Sequence, residues 1–132
     1  MEIIVLGLNH KTAPVEVRER LDFKTEDLER AVAQAQALPS LKENMIVSTC
    51  NRVELYAVSR EPEKAVFELK TFLSQFHRLP LKEFEDNLYL QSGVPAKSNA
   101  QMVRKVTEIA DQLGREVATS EEALRILGVV KR

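Results

Sequence analysis

Met45-Ile46-Val47-Ser48-Thr49-Cys50-Asn51-Arg52-Val53-Glu54-Leu55-Tyr56-Ala57-Val58 decides the fold. Two β-type runs flank a short polar connection. The first is Met45-Ile46-Val47. In the second, Val53 to Val58, Leu55 and Ala57 alternate to one side together with Val53, the period of a strand with one buried face. Cys50-Asn51-Arg52 is too short to be anything but a tight turn, so the runs read as neighbouring strands joined at a sheet rim open to solvent.

Upstream, Ile3-Ile4-Val5-Leu6 with Leu8 is another short β run, halted at Gly7-Leu8-Asn9-His10. Thr12-Ala13-Pro14 reads as an N-cap with proline in the first turn of a short helix through Val15, Val17 and Leu21. Thr25 reads as the cap of a longer helix, with Leu28, Ala31, Val32, Ala35 and Leu38 on one face. Downstream, Pro62 opens an amphipathic helix carrying Ala65, Val66, Leu69, Phe72, Leu73 and Phe76, and Leu88-Tyr89-Leu90 is a fourth strand. The order β-α-β-β-α-β is the split βαβ unit of ferredoxin-like folds. An α/β chain of the α+β kind is predicted: a four-stranded antiparallel sheet with two helices on one face, over residues 1–91. Residues 92–132 form an appendage of two helices, each opened by a capping-box pattern (Ser98 to Gln101, Thr119 to Glu122) and stopped by Gly114 and Gly128.

At 132 residues, 44% apolar and 30% charged, the chain can bury a modest core without disulfides. Its net charge of −1 excludes a broad basic surface, so DNA is not an expected partner, and any nucleic-acid contact would be local. No apolar run approaches the ~20 residues that span a bilayer, and the opening residues lack a signal-peptide layout. One free thiol suits a reducing compartment. A soluble cytoplasmic protein without membrane partners is expected.

Cys50 is the only cysteine, and His10 and His77 are the only histidines. An internal disulfide is excluded, and a structural zinc site needs about four ligands. Cys50 is therefore a small packed residue or a reactive thiolate. Its neighbours suit acyl chemistry: Arg52 can grip a carboxylate through its planar fork, and Asn51 and Thr49 add donors for an acyl oxygen. Glu54 pairs with Arg52, orients it, or is a plain surface charge.

Gly7-Leu8-Asn9-His10-Lys11-Thr12-Ala13-Pro14-Val15-Glu16-Val17-Arg18-Glu19-Arg20, followed by Ser48-Thr49-Cys50-Asn51-Arg52-Val53-Glu54-Leu55-Tyr56, closely resembles the N-terminal catalytic domain of glutamyl-tRNA reductase over about residues 1–85. The resemblance implies NADPH-dependent reduction of glutamyl-tRNA to glutamate-1-semialdehyde, for tetrapyrrole synthesis. It also implies Cys50 as the nucleophile that forms a glutamyl thioester, and Thr49, Cys50, Asn51 and Arg52 as the substrate-binding stretch. At the distance where that family carries a supporting histidine this chain has Asn99, and no Glu-Pro-Gln follows. Gly7, Gly93, Gly114 and Gly128 are too scattered for a dinucleotide fingerprint, so no NADPH site is expected here. A counterpart of the family's dimerisation segment is not expected either. From about Glu85, Glu85-Asp86-Asn87-Leu88-Tyr89, Lys97-Ser98-Asn99-Ala100-Gln101 and Leu113 to Thr119 resemble the C-terminal end of β-keto acid cleavage enzymes. The Glu of that Glu-Asp pair is a metal ligand there, but the histidines that support it have no counterpart, so no metal site is expected.

Lys11, Arg18 and Arg20 either form a basic edge for a tRNA acceptor end or are solvated charges. His10 reads as a turn residue, the nearest substitute for the absent family histidine, and His77 as a helix-end residue favoured by the dipole. Phe67, Phe72, Phe76 and Phe84 read as packing, not as a base-stacking platform. Two functions follow: an enzyme domain that forms the thioester, or a non-catalytic interaction module (or fusion fragment with a β-keto acid cleavage enzyme tail) in which Cys50 only packs.

Overall fold

Alternating apolar residues line up across four antiparallel strands in the computed structural model. It describes residues 1–95 (backbone alone over 92–95) and, beyond them, 104, 107, 108, 110, 111, 114, 116–119, 121 and 122. The elements are β1 (Glu2–Asn9), α1 (Val15–Leu21), α2 (Thr25–Gln36), β2 (Leu41–Ser48), β3 (Arg52–Ser59), α3 (Pro62–His77), two 3-10 turns (Leu81–Glu83 and Glu85–Asn87) and β4 (Tyr89–Pro95). The sheet order is β2-β3-β1-β4, with β1 pairing antiparallel to β3 and β4, and β2 to β3. This is the predicted ferredoxin-like arrangement. By contact, the chain divides into two compact units, Met1–Ala96 and Lys97–Arg132.

Ile4, Leu6 and Leu8 of β1 and Val53, Leu55 and Ala57 of β3 face one side, where they meet Ala31 and Ala35 of α2 and Leu69 and Leu73 of α3. Each fully buried Leu or Ile there contributes about 1.5–3 kcal/mol. Small residues on α2 let that helix lie close to the sheet. Phe84, fully buried, anchors the turns leading to β4. Phe72 is buried and Phe76 partly so, as expected of packing residues, whereas Phe67 is 70% exposed.

Several boundaries differ from the sequence reading, each for a local reason. β2 starts at Leu41 rather than Met45, because the polar Lys42-Glu43-Asn44 belongs to an edge strand with a register shift between Leu41 and Glu43. β4 runs on through Gly93 to Pro95, which an edge strand tolerates. Neither Thr12 nor Thr25 caps a helix: Pro14 and Lys24 hold the N-cap positions, without side-chain caps. The Thr12 hydroxyl instead accepts the Asn9 N–H at 3.0 Å, while the Asn9 side-chain oxygen accepts the N–H groups of Lys11 and Thr12. In the second unit the Thr119–Glu122 capping box is formed: Glu122 Oε2 accepts the Thr119 N–H at 2.8 Å and Thr119 Oγ1 accepts the Glu122 N–H at 3.2 Å. Gly114 has a positive φ of 67°. The Ser98–Gln101 box and Gly128 lie outside the described residues.

His77 departs from the helix-dipole expectation. Its ring packs 4.5 Å from Phe23 and 5.2 Å from Phe76, and its Nε2 is buried with no partner among the described residues. Burial pushes its pKa down to about 4, against the opposing pull of Asp22 and Asp27. A histidine held neutral in the fold binds fewer protons than in the unfolded chain between pH ~4 and ~6.5, so its contribution is intact above ~6.5 and is lost as the pH falls towards ~4. Urea unfolding should show His77→Phe escaping a pH-dependent loss on the order of 1–2 kcal/mol across that window, screened because the ring is only partly enclosed. Parallel pH profiles for the two proteins would refute this.

Candidate functional site: a thiol turn at the sheet rim

β2 and β3 are joined by three residues, and four interactions hold that joint. The Thr49 N–H donates to the Arg52 carbonyl at 2.8 Å. The Thr49 hydroxyl oxygen accepts the N–H groups of Asn51 at 3.3 Å and Arg52 at 3.2 Å, an ST-type turn. From α1, Arg18 Nη1 donates to the Cys50 carbonyl at 3.0 Å. Just before the turn, Ser48 Oγ accepts the Phe23 N–H at 3.0 Å and donates to Asp22 Oδ1 at 2.6 Å, tying the α1–α2 junction to the end of β2. Ser48→Ala should leave both partners unpaired and cost about 1–2 kcal/mol in chemical denaturation. A change below about 0.5 kcal/mol would show that water replaces the hydroxyl.

On this fixed turn Cys50 is a free, exposed thiol. It is not packed into the core. Asn51 is also exposed. His10 and Lys11 are exposed at the same end of the sheet, since Asn9 pairs with Arg52 in the β1–β3 register. Arg20 pairs with Glu83 at 3.1 Å. Asn99 lies outside the described residues.

Arg52 lies on the sheet face opposite the α2 and α3 core, half-buried, with Nη1 3.5 Å from Glu54 Oε1. Glu54 is only 4% exposed. Its Oε2 accepts the Tyr56 hydroxyl at 2.6 Å, and its Oε1 accepts the Tyr89 hydroxyl in a very short bond. Burial, then the Glu54 carboxylate, pushes both phenols well above their ordinary pKa, so both stay protonated as donors. A plain surface charge is therefore not what Glu54 is. In register, Glu54 of β3 stands opposite Gly7 of β1, and Gly7 opposite Tyr89 of β4. A Cβ on Gly7 would sit 2.4 Å from the Val53 carbonyl oxygen and 2.9 Å from Glu54 Cγ.

The contact of Arg18 with the turn and the two tyrosines are the parts that sequence reasoning missed. The period-2 spacing of Arg52, Glu54 and Tyr56 was a usable pointer, because it puts all three on one face. Nothing in sequence links Arg18 to a carbonyl 32 residues away.

No group of three or more His, Cys, Asp or Glu side chains is arranged for a metal among the described residues; Glu85 instead pairs with Lys70 at 3.0 Å. Nor do they offer a cradle for a dinucleotide. Gly7 lies mid-strand with its Cβ space filled, and α2 and α3 are preceded by Lys24 and Glu61 rather than a glycine-rich turn. No helix of the described residues is long and apolar enough to cross a membrane.

Comparison with known proteins places this site in context. The sequence profile of the glutamyl-tRNA(Glu) reductase N-terminal domain matches residues 6–104, and that of beta-keto acid cleavage enzyme matches residues 84–129. A glutamyl-tRNA reductase of Citrifermentans bemidjiense is 40% identical over 131 residues, 99% of this chain and 28% of that protein. One from a Cyanothece species is 48% identical over 90 residues, 68% of this chain and 21% of that protein. Among solved structures, glutamyl-tRNA reductase from Methanopyrus kandleri aligns with a TM-score of 0.47 and 19% identity, covering 87% of this chain and 29% of that one. The chain spans under a third of the length of the curated relatives it matches.

Proposed function

The chain belongs to the glutamyl-tRNA reductase family through its N-terminal domain, and from that premise we propose that it carries out the acyl-capture half of that reaction, with Cys50 as the acceptor. The observation that carries this reading is the exposed Cys50 thiol on a turn held by Arg18, Thr49 and the Arg52 backbone. The Cys50 thiolate attacks the ester carbonyl of glutamyl-tRNA. The C–S bond forms, the ester C–O bond breaks, and the tRNA leaves with its terminal hydroxyl reprotonated by water. The product is a glutamyl thioester, which suits a sulfur nucleophile because thiolate is reactive at neutral pH and also leaves readily. Thr49 shapes the turn, the Asn51 amide faces the acyl oxygen, and the Arg52 guanidinium takes the side-chain carboxylate.

In the family the thioester is reduced by NADPH, which supplies hydride to the acyl carbon. The described residues do not fit that cofactor, so no reducing step is assigned to them. A cytoplasmic setting for tetrapyrrole synthesis agrees with an exposed, unpaired thiol. The test is intact-mass spectrometry of the chain after incubation with glutamyl-tRNA. A single glutamyl adduct that maps to Cys50 supports the proposal, and tRNA deacylation at the background rate with unmodified protein refutes it.

A further inference from the structure

Arg52 and Glu54 are close enough to neutralise each other completely, yet they do not. An unrestrained Arg–carboxylate pair closes into two parallel hydrogen bonds. Here one guanidinium nitrogen alone approaches Glu54, at 3.5 Å, and Arg52 Nε is buried with no partner among the described residues. The reason is on the other side of the carboxylate. Tyr56 and Tyr89 each donate to one of its oxygens, and Tyr89 shares Oε1 with Arg52. The three strands make this possible: Tyr89 of β4 reaches Glu54 of β3 across the row occupied by Gly7, where a side chain would block the way.

We propose that Tyr56 and Tyr89 are positioning residues that hold the Glu54 carboxylate back from Arg52, keeping part of the guanidinium fork open for the anionic side chain of an acyl donor. This rests on the reading of Cys50 as the acyl acceptor. Hydrogen bonds to both oxygens fix the Glu54 carboxylate in place, which anchors the Arg52 charge on the sheet face without consuming its fork. Losing either phenol frees an oxygen of Glu54 to swing onto Arg52. The internal carboxylate then competes with the external one, and selectivity for an acidic donor falls.

The experiment measures Cys50 acylation by mass spectrometry in the full chain, with glutamyl-tRNA and glutaminyl-tRNA as donors over a range of concentrations. For Tyr89→Phe the half-saturating concentration of glutamyl-tRNA should rise about tenfold, the range expected for one charge-assisted hydrogen bond. Preference over glutaminyl-tRNA should fall by a similar factor. The maximal rate, and alkylation of Cys50 by neutral iodoacetamide, should stay within about twofold. Tyr56→Phe is the second variant, should Tyr89→Phe fail to fold. A variant that acylates with unchanged half-saturation and selectivity overturns the positioning role and leaves the acceptor reading standing. Equal losses in acylation and alkylation overturn it too, since that marks a merely structural role. No adduct on the unsubstituted chain overturns the acceptor reading and this inference with it.

Discussion

Incubated with glutamyl-tRNA and no reductant, the protein should gain one glutamyl group on Cys50, and the Cys50→Ser variant should gain none. The two side chains differ by one atom, so the turn held by Arg18 and Thr49 is unchanged by the exchange. What changes is the supply of nucleophile. A free cysteine offers a few per cent thiolate at neutral pH, whereas a serine hydroxyl without a paired base offers essentially none. Acyl transfer should fall at least ~100-fold, to the background rate of ester hydrolysis. Quenched samples read by mass and by release of free tRNA give both halves of the reaction. Serine acting within tenfold of cysteine would mean that the tRNA is deacylated by water and that Cys50 is a bystander.

Gly7→Ala should be the most damaging single-methyl change in the domain. Gly7 lies on β1, a central strand laddered to β3 on one side and β4 on the other. Its added methyl would lie 2.4 Å from a main-chain oxygen of β3. Relief requires moving backbone, which breaks ladder bonds on at least one side. A cost of about 3 kcal/mol or more is expected, at the upper end for overpacking. For a domain near 100 residues that lowers the melting temperature by about 12–24 °C. Thermal unfolding followed by circular dichroism measures it. A drop of less than about 5 °C would show that β1 and β3 can part locally.

Much of this was legible because the strongest patterns are the periodic ones. Val53, Leu55 and Ala57 alternate, and Leu69, Phe72, Leu73 and Phe76 recur at helical spacing, so β3 and α3 declare themselves in sequence. The start of β2 did not, because Lys42-Glu43-Asn44 sits at a sheet edge where polar residues cost nothing. Thr12 looked like a cap, yet Asn9 two residues before Lys11 captured the local N–H groups first. At the candidate site the turn itself was readable from Thr49 to Arg52. The groups that tune it were not. Arg18 arrives from another element, and Tyr89 meets Glu54 only once β1 has brought β3 and β4 to either side of Gly7. Such contacts depend on topology, and no window of sequence contains them.

Strand order has one more consequence, for portability. Glu2 pairs with Ser59 on one side and with Pro95 on the other, while Asn9 pairs with Arg52. The start of β1 and the end of β4 thus lie on adjacent strands about 5 Å apart, and the thiol turn lies a strand's length away, about 25 Å. A module wired this way can be spliced into a host at one surface position, because bridging neighbouring strands requires little loop closure.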